Sequence, residues 1–241
     1  MSLTSQVPDR HGFTLSDFAL TILAGFAGVF VVALTIGSIA DTPVLLVASL
    51  LGQYAGHLLG LWVVVRRRQS SFGALGLHVE PSDGLYVLGG VTLQILIALA
   101  FVPVAEWIGG EGSTQSLAEQ IPSVRGATLQ AGLILAVALI APVTEEIMFR
   151  GLLPRALGRW MGQGASFAVA ALVFAVFHLL GVTPDDFVRS ALLLLPQLFI
   201  VGLILGWQVM RRRRLGTAIF LHSGFNLVAV LALLVAPETF S

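Results

Sequence analysis

ATLQAGLILAVALIAPVTEEIMFR, residues 127–150, decides the class of this chain. From Ala127 to Thr144 no side chain carries a charge, and the run closes on two acids and an arginine. A bilayer's hydrocarbon core is about 30 Å thick and an α-helix rises about 1.5 Å per residue, so about 20 apolar residues cross it. The stretch predicts a membrane span over 127–149. Lipid offers no partner to an unpaired backbone amide or carbonyl, so the span is helical.

Working outward, the same pattern recurs over 18–40, 43–65, 85–108, 166–181, 190–210 and 215–235. The predicted fold is all-α: a polytopic bundle of about seven transmembrane helices, forming one integral membrane domain over 1–241. Composition agrees. Of 241 residues 56% are hydrophobic and only 11% charged, where a soluble domain carries roughly 25% charged residues. With a mean hydropathy of +0.93, this excludes a cytosolic globular protein, a disordered chain and a nucleic-acid binder. The absence of cysteine excludes a thiol nucleophile, a cysteine zinc site and any disulfide.

All thirteen basic residues are arginine. Arg66, Arg67 and Arg68 follow the second span, Arg150, Arg155 and Arg159 the fourth, and Arg211 to Arg214 the sixth. Basic residues stay cytoplasmic, so the chain is expected in the cell membrane with its N-terminus cytoplasmic and its C-terminus outside. Glu111, Glu119, Asp185 and Asp186 occupy the opposite loops, where Arg125 and Arg189 stand as single charges against the pattern. Ser38-Ile39-Ala40 has the small residues of a signal-peptidase site. The preceding apolar stretch exceeds the ~7–15 residues of a signal core, so it reads as a retained span.

Gly52, Gly56 and Gly60 form a stripe of small residues on the second span, a packing feature that lets two backbones approach. Gln53, Tyr54 and His57 lie on nearby faces of that helix, and His57 reads as a buried, hydrogen-bonded histidine. His11 and His78 fall in loops and read as surface residues.

Ionisable groups inside a span cost roughly 2.5–3.5 kcal/mol each and are functional candidates by default. Three clusters stand out. In the first, Glu146 and Arg150 are four apart with the acid leading, the favourable order for a helical salt bridge. Glu145 lacks that partner, which divides the pair into a structural Glu146 and a Glu145 free for chemistry. Pro142 has no N–H for the carbonyl of Ala138 and should bend the helix beside them. The second cluster is Phe174-Ala175-Val176-Phe177-His178. The third is His222-Ser223-Gly224-Phe225-Asn226, in which His222 and Asn226 share a helix face and Gly224 leaves room for a neighbour.

The glycine-rich turn over 158–164 makes spans four and five a hairpin. Glu145 lies sixteen residues before Met161 and His178 sixteen after Gly162, so the two come level if helix four runs past Arg150. Arg150, Arg155 and Arg159 suit that extension, with stems in the interface and heads in water. His222 lies eight residues past Arg214, about 12 Å into its helix. The three clusters can then converge in the cytoplasmic half of the bundle.

A glutamate, two histidines and an asparagine in a half-dry pocket suit hydrolysis. Glu145 takes a proton from water, with His178 sharing it, and His222 and Asn226 donate to the developing oxyanion of a peptide carbonyl. Ser223 faces about 100° away from its neighbour His222 and is not favoured as a nucleophile. No cofactor is required in this reading. A zinc-dependent version of the same hydrolysis stands beside it, with Glu145, His178 and His222 as alternative ligands to Zn2+. The His-Glu-x-x-His motif is absent.

Glu145-Glu146-x-x-x-Arg150, Phe174-x-x-x-His178 and His222-x-x-x-Asn226, in that order, resemble the three motifs of the CAAX protease and bacteriocin-processing family, which includes the type II CAAX prenyl endopeptidase. The resemblance covers roughly residues 127–230. It implies an α-helical intramembrane endopeptidase whose pocket opens to the cytoplasm, acting on a peptide or lipidated (CAAX-like) protein. By motif position it makes Glu145, His178, His222 and Asn226 catalytic, with Glu146, Arg150 and Phe174 structural. Two other classes compete: a non-enzymatic immunity or scaffold protein of the same fold, and a small transporter using these groups as a proton relay. A scaffold could replace costly buried acids by leucine. A transporter of this kind predicts inverted repeats or paired broken helices, and neither is visible.

Overall fold

The computed structural model describes residues 12–108, 120–182 and 187–235. His11, Glu111, Glu119, Asp185 and Asp186 lie outside these. Among the described residues there is no β-strand, and seven helices are long and apolar enough to cross a membrane. They are α1 (Leu15–Ile36), α2 (Thr42–Arg67), α3 (Tyr86–Trp107), α4 (Ala127–Leu157), α5 (Gln163–His178), α6 (Phe187–Arg212) and α7 (Gly216–Val235). A short 3-10 turn, Pro81–Leu85, leads into α3. Each predicted span is present. The fourth runs past Arg150 to Leu157, as the level hairpin requires.

Three close helix pairs surround α4. In α1 and α2 the glycine stripe meets its partner backbone directly: a Cβ on Gly56 would lie 2.2 Å from the carbonyl oxygen of Ala24, and one on Gly28 2.0 Å from that of Gly52. In α3 and α7 a Cβ on Gly90 would lie 1.9 Å from the Leu221 oxygen, and one on Gly224 2.1 Å from that of Val87. The room beside Gly224 is therefore filled by α3. In α5 and α6 the backbone of Gly202 packs on Ala171. Between lipid-like side chains such packing, rather than a hydrophobic drive, holds helices together.

The central helix is irregular. Its α-helical turns alternate with two widened π-turns, Ala136–Ile140 and Ile147–Leu152. A proline follows each by two residues: Pro142 and Pro154 stand in the first turn of the next α-segment, where a missing N–H is tolerated. The six residues between the widened turns, Ala141–Glu146, carry both acids.

One end of the bundle is closed by polar ties. Arg68 pairs with Asp17 at 2.9 Å, and Arg214 pairs with Asp83 at 2.8 Å and with Glu80. The Asp83 hydrogen bond raises the Arg214 guanidinium above its already high ordinary range. The segment joining α2 to α3 folds across this end. Leu75 is fully buried, Gly76 adopts φ +91° and accepts from the Leu215 amide at 2.9 Å, and His78 is exposed.

Candidate active site

Gly151 of α4 packs near Leu215, the residue that leads into α7. Seven residues further along α7, about 10 Å deeper by the helical rise, His222 stands between the two acids. Its Nδ1 donates to Oε1 of Glu146 at 2.9 Å, and its Nε2 lies 3.7 Å from Oε2 of Glu145. The same Glu146 oxygen accepts from Arg150 Nη1 at 2.8 Å. Glu146 thus neutralises Arg150 and also fixes which His222 nitrogen faces Glu145. Arg150, Glu146 and His222 are all buried.

The expected Glu146–Arg150 bridge is present, but the expected position of Arg150 is not. Its guanidinium does not reach water: only 1% of the side chain is exposed, and it lies 4.4 Å from the centroid of the Phe174 ring. A planar cation stacks on an aromatic face more readily than a hydrated ammonium would. The next arginines differ again. Arg155 is half-buried, donating to the Gly151 carbonyl, whereas exposed Arg159 stacks on Trp160.

Phe174 organises the aromatic side of the site. Its ring packs edge-on against His178 at 4.5 Å and against His222 at 5.8 Å between centroids, and meets Phe149 at 5.3 Å. His178 is half-buried at the C-terminal end of α5, where its Nδ1 donates to the Phe174 carbonyl at 2.8 Å. Both imidazoles are therefore gathered around one ring. Among the described residues neither Glu145 nor Glu146 forms an ion pair with His178.

Asn226 ties α7 to α4. Its Nδ2 donates to the carbonyl of Val137 at 3.0 Å. That carbonyl lies in the first π-turn, and its i+5 partner in the widened register is Pro142, which has no N–H. The amide of α7 supplies the donor that α4 lacks. Its second N–H stays available on the same helix face as His222.

Tyr54 enters the site unannounced by any motif. From α2 its hydroxyl donates to Oε1 of Glu145 at 3.5 Å. Three polar atoms at the centre, Oε2 of Glu145, Oε2 of Glu146 and Nη2 of Arg150, are buried and make no hydrogen bond to protein. The Ser223 hydroxyl is buried and equally unpaired. His57, one turn from Tyr54, is buried and donates from Nδ1 to the Thr21 carbonyl at 2.9 Å. It is a packed structural histidine.

A zinc ion would need Glu145, His178 and His222 to converge. Among the described residues no three His, Asp or Glu side chains stand together as a metal-holding group.

Compared with known proteins, the chain matches no curated protein and no solved structure. Residues 127–228, from the start of α4 to two residues beyond Asn226, match the family model described as Type II CAAX prenyl endopeptidase Rce1-like, a protease family, and this segment carries all three motifs.

Proposed function

We propose that this protein is an intramembrane endopeptidase that hydrolyses a peptide bond of a membrane-associated or prenylated substrate with water activated by Glu145. The observation that carries the reading is the placement of His222 between two carboxylates with different duties. Glu146, already balanced by Arg150, holds Nδ1. Glu145 faces Nε2 with an oxygen that no protein group occupies. With Glu145 Oε2 and His222 Nε2 3.7 Å apart, one water placed beside the pair is within hydrogen-bond reach of both.

Glu145 takes a proton from water, and the hydroxide adds to the scissile carbonyl carbon. The oxygen of that carbonyl becomes an oxyanion. His222, carrying a hydrogen on Nε2, and the second N–H of Asn226 donate to it. The ring, which donates from both nitrogens, is then cationic, and its charge offsets that of the oxyanion. Glu145 then returns its proton to the leaving nitrogen, the C–N bond breaks, and a carboxylate and an amine are released. His178 hydrogen-bonds the attacking water from Nε2, since its Nδ1 is engaged by Phe174. The step as written needs no cofactor.

Alanine at Glu145, His178 or His222 should each abolish cleavage of a farnesylated CAAX-type peptide in detergent while the melting temperature stays near wild type. A Glu145→Ala protein that cleaves at the wild-type rate would end the mechanism. Full activity after metal depletion, with no metal found in the active protein, is expected. Activity that tracks zinc content would favour the metal version instead.

A further inference from the structure

The two oxygens of Glu145 are not equivalent. Oε1 receives the hydroxyl of Tyr54 at 3.5 Å, whereas Oε2 is buried, lacks a hydrogen-bond partner and faces His222. Tyr54 lies on α2, outside the segment 127–228 that matches the protease family. Contacts on either side fix the stretch of helix that carries it. One turn along the same helix, His57 is tied to the Thr21 carbonyl, and its ring fills the space a Cβ on Gly25 would need, 2.1 Å away. At the same level the backbone of Gly56 lies against that of Ala24. The α1–α2 hairpin is thus locked where it carries the phenol, and the phenol reaches across to α4. A carboxylate on a flexible side chain would otherwise rotate about its last torsion, and either oxygen would meet the water.

We propose that Tyr54 is a positioning residue for the protease reaction: it holds Oε1 of Glu145 and so presents Oε2 to the water beside His222. The proposal rests on Glu145 being the base, and it gives the N-terminal hairpin a part in the chemistry. Tyr54 touches Glu145 rather than the reacting atoms, so it acts on turnover through the orientation of the acid. Phenylalanine removes the hydroxyl and keeps the ring, so packing against His57, at 6.4 Å between ring centroids, is retained.

The test compares wild type, Tyr54→Phe and Glu145→Ala on a farnesylated CAAX-type peptide, with a melting curve for each. A net hydrogen bond of about 0.5–1.5 kcal/mol corresponds to a loss of about two- to thirteenfold. Tyr54→Phe should lower kcat by that factor and leave KM within about twofold. A second readout requires no turnover. The infrared carboxylate band of Glu145, assigned by its disappearance in Glu145→Gln, should shift in Tyr54→Phe. An unchanged kcat in Tyr54→Phe beside an inactive Glu145→Ala overturns the positioning role alone. An unmoved band overturns it even if no peptide is cleaved. Wild-type cleavage by Glu145→Ala removes the catalytic reading on which the role depends.

Discussion

Glu146, Arg150 and His222 form one hydrogen-bonded unit, and each is buried. Breaking a buried pair leaves an uncompensated charge, which costs about 3–5 kcal/mol. Arg150→Ala should therefore destabilise the protein by that amount, read as a lowered unfolding midpoint in detergent. Replacing both partners by leucine should recover most of this loss, because a buried pair of charges contributes little net stability over an apolar pair. The double variant should still be inactive, since nothing would hold Nδ1 of His222. Stability and activity would then separate at a single site. The spacing of Glu146 and Arg150 made their bridge legible in the sequence, because residues four apart on a helix meet whatever the fold does. The Glu146–His222 bond spans 76 positions of chain, and no local rule reaches that far. Tyr54 left even less trace: a tyrosine in an apolar span reads as packing until α4 is seen beside it.

At the scale of elements, α4 does what an ideal helix cannot. Each widened turn rotates everything beyond it relative to the residues before. The pair of turns aims Glu145 and Glu146 at α7 while Phe149 and Arg150 face Phe174. Pro142 marks the first turn, and Asn226 supplies the hydrogen bond it denies. Pro142→Ala restores an N–H and lets the helix close towards regular geometry. A misplacement of about 1 Å can cost about a hundredfold in rate. We expect a loss of that order in kcat from a protein that still unfolds in one cooperative transition, with the melting temperature somewhat lowered because Pro142 is buried. In α1, Gly25→Val would drive a side chain into the His57 ring, so both stability and activity should fall together. The seven apolar runs made the helices readable and the proline announced a bend. The bend's π-geometry was not readable, because it depends on which distant donor captures the freed carbonyl.

The whole molecule has a polar end and a direction. Arg66 stacks on Trp62, Arg159 on Trp160, Arg211 on Trp207 and Arg212 on Tyr86. Aromatic rings of this kind settle at the membrane–water boundary, and arginines keep to the cytoplasmic side. Cytoplasmic placement of this end is our proposal for the topology. With no native cysteine in the chain, Arg159→Cys offers one labelling site. A membrane-impermeant maleimide should label it in inside-out vesicles and leave it untouched in right-side-out ones. The reverse pattern would invert the topology and place the site about 10 Å beneath the outer surface, counting the helical rise from Leu215 to His222.

The most direct measurement of the central claim is the rate at which purified Glu145→Gln cleaves a farnesylated CAAX-type peptide, beside wild type at equal folded concentration. Glutamine keeps the shape of the side chain and removes the base. Wild type should cut the peptide, and Glu145→Gln should be slower by a factor on the order of 10² or more. A Glu145→Gln enzyme within twofold of wild type would contradict the assignment of Glu145 as the group that activates water.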